Sequence, residues 1–187
     1  VCSSDLKIYQ EQMKQENPIK YILVNISWNS NDWKEPSKDK SGHAWVNKGN
    51  TPHESWNFDF ENPRNTPESI RGFAQFTNPP KVDGKNNLVI FYSQNQIVGF
   101  YGMAEVLSPV VNVNKNESYN LVGYRPLCIL LKNKIQAVKE KGYLENKQRV
   151  GQIGFCYLED HDTISSIINE AILLNPEDSV QLKDLLN

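Results

Sequence analysis

The stretch Asn87–Pro109, NLVIFYSQNQIVGFYGMAEVLSP, decides the fold. Its first arm, Leu88 to Ser93, is almost wholly apolar, as a strand covered on both faces would be. Gln94-Asn95-Gln96 supplies a turn, and Val98 to Leu107 returns as the second arm of a β-hairpin. Gly99 and Gly102 in the return arm predict a bend or a close backbone approach.

Upstream, Lys20–Ile26 (KYILVNI) reads as a strand rich in β-branched and aromatic residues. Before it, Leu6, Tyr9 and Met13 have helical spacing, so residues 3–16 are expected to form a helix capped by Ser4 or Asp5 and ended by Pro18. Residues 27–53 are polar yet hold Trp28, Trp33 and Trp45, which predicts a long functional loop with a short strand near His43–Asn47. Thr66-Pro67-Glu68 carries N-cap and first-turn signals, so a short helix is expected from there to about Phe76. Downstream, a polar loop over 112–120 leads to a strand at Tyr124–Leu131 interrupted by Pro126. Residues 132–140 fit a strand end or a helix. A last strand is expected at 153–158, then a helix from Thr163 to Leu174 capped by Asp162, and another opened by Asn175-Pro176.

Together these elements predict an α+β fold: a small mixed, partly closed β-barrel flanked by helices. One domain spans 1–187, with a core at about 20–158 and C-terminal helices at 162–187. The chain stops within an amphipathic run, so a further domain is expected beyond Asn187, and oligomerisation through it is compatible with this reading.

The composition narrows the class. Charged residues make up 22% of 187 and hydrophobic residues 39%, ordinary values for one globular domain. No stretch approaches the roughly 20 apolar residues that cross a bilayer, so no membrane association is expected. No secretory pattern is visible at the start, and Cys2, Cys128 and Cys156 lack metal-like spacing; reduced thiols and a cytoplasmic location follow. A net charge of −2 excludes a broadly basic duplex-binding surface, so any nucleic-acid affinity must come from a local patch and a base pocket.

No phosphate loop, nucleophile elbow or zinc motif is present, so neither enzyme nor cofactor is expected. His43 and His53 have no third ligand nearby. The Glu159–Asp162 acidic cluster is read as favourable charge at a helix start. What stands out is aromatic residues in polar loops: Trp28, Trp33, Trp45 and Trp56. An indole face stacks a nucleobase for about 1–3 kcal/mol, and neighbouring amides and hydroxyls read its polar edge.

The hairpin resembles the core of YTH domains. There an apolar strand ends in a Phe-Ser-x-Asn-like turn, and the return strand carries Gly-x-Ala-Glu, here Gly102-Met103-Ala104-Glu105. It is also similar to EVE domains, with an "FFY"-type strand and an "IVGI"-type return. Both belong to the PUA-like barrels that bind RNA or modified bases. The flanking helices resemble the specificity domains of archaeal McrB-like modification-dependent restriction proteins. The resemblance covers about residues 20–155 in element order and is specific over the hairpin.

It implies base-edge contacts from Asn25, Ser27 and Asn29, with Ser93 and Asn95 near the ligand. It also implies a cage drawn from Trp45 or Trp56, with Tyr119 as the second aromatic. The residues themselves add Trp28 to that pocket and place Lys48, Lys132, Lys134 and Arg149 at flanking phosphates. The expected function is recognition of a modified base, N6-methyladenine first, by base flipping or single-strand capture from methylated DNA or from RNA. The rivals are an RNA-binding module without modification specificity and a protein–protein interaction domain.

Overall fold

The computed structural model describes residues 19–39, 50–144 and 150–186. The helix expected over 3–16 and the strand expected near 43–47 lie outside these residues. The strands are β1 (Lys20–Asn25), β2 (Ser69–Gly72), β3 (Asn87–Ser93), β4 (Gln96–Asn112), β5 (Ser118–Tyr124), β6 (Cys128–Ile135) and β7 (Phe155–Leu158). The helices are α1 (Val150–Ile153), α2 (His161–Leu174) and α3 (Ser179–Asp184).

The hairpin forms as expected. Gln94 and Asn95 both have positive φ, 47° and 64°, the left-handed pair that matches the twist of a two-residue hairpin turn. All seven residues of β3 are buried: β1 in parallel and β4 in antiparallel cover its edges, and a core cluster covers each face. Gly99 is required by close approach: a Cβ there would lie 2.3 Å from the Ile129 carbonyl oxygen and 2.6 Å from the Phe58 ring.

The architecture is α+β, with one mixed seven-stranded sheet in the order β2-β5-β4-β3-β1-β7 and β6 beside β4. β4 has 17 residues; its inner part pairs with β3 and β6, and its outer part with β5. The terminal strands β2 and β7 are four residues each and do not pair with one another, so the sheet is not closed into the expected barrel.

Alternation along the strands splits the core into two layers. Leu23, Leu88, Ile90, Tyr92 and Phe100 face one side, where α2 lays down Ile164, Ile167, Ile168 and Ala171. Ile22, Val24, Val89, Phe91 and Tyr101 face the other, covered by Trp33, Phe58 and Ala74 from irregular chain.

Four local expectations change. The chain at 66–76 is not a helix. Thr66 Oγ1 does accept the Ser69 amide at 3.0 Å, a cap-like bond, but Ile70 and Gly72 then pair with Gly123 and Leu121 of β5. Long-range pairing that buries Ile70 completely overrides a local cap signal. The loop expected over 112–120 shrinks to residues 113–117 between β4 and β5, and the strand expected over 124–131 breaks into β5, a 3-10 turn at Arg125–Leu127 and β6. Asp160, not Asp162, caps α2, accepting the amides of Asp162 and Thr163 at 3.1 Å. Among the described residues no helix is long and apolar enough to cross a membrane.

Candidate functional site

β1 leaves the sheet at Asn25, and the Ile26 amide is held by the Tyr92 carbonyl at 2.9 Å. Beyond it the chain doubles back. Asn29 Oδ1 accepts the Asn31 amide at 2.7 Å and its Nδ2 donates to the Glu35 carbonyl at 2.9 Å, an Asx-type turn. Asp32 and Trp33 take positive φ, 55° and 52°, which swings the Trp33 indole under the strand end. There Trp33 is fully buried, donates Nε1–H to the Ser27 carbonyl at 2.9 Å, and meets Phe58 edge-on at 6.3 Å. Trp28 stands half-buried on top, edge-to-face with Trp33 at 5.6 Å and 81°.

A narrow cleft of about 20 Å³ results, lined by Ser27, Trp28, Asn29, Trp33, Ser37, Asp39, Pro52, Glu54 and Ser55. That volume holds about one water. Its electrostatics are set by two carboxylates. Glu54, 5% exposed, accepts the Ser27 amide through Oε2 at 3.0 Å. Asp39 accepts the Ser30 amide at 2.6 Å, and hydrogen bonds from Ser37 and Ser30 hold its carboxyl below the usual aspartate range. Such a cleft disfavours phosphate and suits a partner that presents donors.

The structure thus brings together Ser27, Trp28 and Asn29 with Trp33, another of the four conspicuous tryptophans, and adds Glu54 and Ser55, which no local motif marked. It separates the rest. Ser93 is fully buried, with Oγ donating to the Ile26 carbonyl at 2.9 Å, and so pins β3 to the end of β1. Asn95 is engaged at the hairpin turn by the Lys139 amide at 2.9 Å and Glu140 at 2.8 Å. Neither side chain lines the cleft. Asn25 lies within β1, its amide on the Gly154 carbonyl at 2.8 Å. Lys134 is ion-paired with Asp32 at 2.8 Å, and Lys132 is exposed. Trp45, Lys48 and Arg149 lie outside the described residues.

Trp56 and Tyr119 belong to a neighbouring cluster built on arginine. Arg64 donates Nη2–H to the Trp56 carbonyl at 2.9 Å, Arg71 donates to the Arg64 carbonyl, and the Arg71 guanidinium lies 4.9 Å from the Tyr119 ring centre. Arg125 binds the Thr66 and Phe60 carbonyls at 2.9–3.1 Å. Three of the chain's four arginines therefore converge on residues 56–71, none in an ion pair among the described residues. Arg64 is 4% exposed with Nε and Nη1 unpartnered, and burial pulls its pKa down. Positions 64, 71 and 125 are scattered in sequence, so only the packed fold shows them as one basic patch.

Comparison with protein-family models, curated proteins and solved structures finds no match to this chain.

Proposed function

We propose that this protein is a binding domain that reads nucleic acid by taking an unpaired, modified base into the cleft beside Trp28. The observation that carries this reading is the half-exposed Trp28 indole, held edge-to-face on buried Trp33 and opposite the Glu54 and Asp39 carboxylates. The indole supplies a stacking face. The carboxylates favour an exocyclic amino group, as in N6-methyladenine, over a keto edge. Beside buried Arg64, the partly exposed Arg71 and Arg125 supply the local cationic surface that a net charge of −2 does not provide overall.

A PUA-like, YTH/EVE-like kinship and a role as the specificity domain of an McrB-like restriction system are part of this proposal, resting on the hairpin's resemblance. Ligand pockets start at about 300 Å³, so a base enters only when Ser37–Asp39 and Pro52 move apart from Trp28. Together with base extrusion this costs a few kcal/mol, which stacking and edge hydrogen bonds offset.

The test is a titration with single-stranded 12-mers of DNA and RNA, with and without one N6-methyladenine. The methylated strand is expected to bind about tenfold tighter, and Trp28→Ala to abolish the difference while circular dichroism stays unchanged. Equal affinity for both strands would leave only an unspecific RNA-binding module. No salt-sensitive binding to any strand would favour the protein-contact reading, for which Leu173 and Val180, 81% and 74% exposed on the C-terminal helices, offer an apolar surface.

A further inference from the structure

The opposite end of β1 carries a much larger opening. A groove of about 760 Å³ is bounded by Lys20 and Tyr21 on β1, Phe155 and Tyr157 on β7, and Asn78 and Lys81 on the facing segment. β7 is an outer strand. Since Asn25 N–H bonds the Gly154 carbonyl, alternation directs the amides and carbonyls of Phe155 and Tyr157 away from β1, toward the open side.

The segment that runs past this edge is pinned at two points. The Thr77 amide donates to the Ile153 carbonyl at 3.4 Å, and the Lys81 amide donates to Tyr157 Oη at 2.7 Å. Between them Pro79 and Pro80 have no N–H to offer. Gly154, at φ +88°, lets Gln75 come so close that a Cβ would lie 2.0 Å from its carbonyl oxygen. The floor is aromatic: Phe155 meets Phe76 at 5.5 Å and Tyr157 at 5.4 Å, both edge-to-face. Lys20 and Lys81 are exposed and form no ion pair among the described residues.

We propose that this groove binds one nucleotide unit of a single nucleic-acid strand, with the base against Phe155 and Tyr157 and the phosphate against Lys20 and Lys81. A strand-adding peptide fits less well. It needs a running edge, whereas this one offers two outward residues and is closed at both ends by the Thr77 and Lys81 bonds. A planar base needs only one neighbouring donor and acceptor, which an outward-facing residue provides. The groove volume lies in the range of small-ligand pockets. The nucleic-acid class is shared with the Trp28 reading, but the site, residues and chemistry are separate.

The experiment follows the amide resonances of Phe155 and Tyr157 in labelled protein. The added probes are adenosine 5′-monophosphate, hexadeoxyadenylate, or a capped peptide of alternating valine and glutamate. Hexadeoxyadenylate is expected to shift both amides and to bind tighter than the mononucleotide. Lys20→Glu with Lys81→Glu is expected to weaken it about tenfold at low salt and to flatten its salt dependence. Both lysines are exposed, so this variant keeps the fold; Phe155→Ala is the second arm, expected to weaken binding even at high salt.

Trp28→Ala should leave the groove shifts unchanged. If Trp28→Ala abolishes strand binding and the groove amides never move, the groove proposal fails and the cleft reading stands. If the groove amides move and Trp28→Ala changes no affinity for methylated strands, the cleft reading fails alone. Shifts produced by the peptide and not by nucleotides, or a mononucleotide that binds as tightly as the strand, overturn the groove proposal.

Discussion

The two ends of β1 are built in opposite ways. At the C-terminal end the chain folds tightly over itself, and the main-chain groups of Ser27 and the amide of Asn29 are spent on internal hydrogen bonds around a cleft of about 20 Å³. At the N-terminal end the sheet simply stops. Two prolines, which carry no N–H, run beside the edge over an aromatic groove of about 760 Å³. A cluster of conspicuous residues therefore makes a tight, acidic notch. An inconspicuous junction of three segments makes the roomier site. Residue type marks where chemistry is concentrated, but the volume open to a ligand depends on how separate segments meet.

The largest effect should come from removing the floor of the cleft. Trp33→Ala is expected to lower stability by about 3–5 kcal/mol, as for other fully buried aromatics, measured by urea unfolding. A loss under about 1 kcal/mol would mean that the cleft collapses around the gap and is not preorganised. Glu54→Ala removes a buried carboxylate from the Ser27 amide and should cost about 1.5–3 kcal/mol. It should also erase preference for an amino-bearing base; retained preference would move recognition away from this cleft.

At the other end, Gly154→Ala must place a side chain at φ +88° against Gln75 and should cost about 1–3 kcal/mol. Hydrogen exchange is expected to quicken at Thr77 and along β7 while Trp28 fluorescence is unchanged. A change in both would show that the two ends are coupled.

The smallest effect concerns Asp39 on the cleft rim. Its carboxyl is held below its ordinary value by hydrogen bonds from Ser37 and Ser30, so its contribution is present above the unfolded pKa and is lost as pH falls through the folded one. Amide exchange at Ser30, corrected for intrinsic rate, should stay flat from neutral pH down to the usual aspartate range and rise only below it. A rise already near neutral pH would assign the rim to another group.

Much of this was legible beforehand. The hairpin, β1, β7 and α2 rest on local signals: apolar runs of the right length, turn residues, and a 3.6-residue stripe ending at an asparagine. The helix read at 66–76 failed because Thr66 carries the same cap signal whether the next residues coil or join a sheet. Only the partner strand β5, about fifty residues away, decides between them. The motif points Ser93 and Asn95 at a ligand, yet Ser93 is fully buried and Asn95 is engaged at the hairpin turn by Lys139 and Glu140.

By itself, then, the sequence determined an α+β chain built on a doubly buried hairpin strand, with tryptophans gathered just past its neighbour. These follow from side-chain periodicity and turn chemistry, which act over a few residues. Tertiary structure alone decided that the sheet stays open, that three arginines converge on residues 56–71, and that the outer strand β7 borders a groove of about 760 Å³. Each of those depends on contacts between segments far apart in the chain, whose pairing is set by the burial and hydrogen-bond balance of the whole fold.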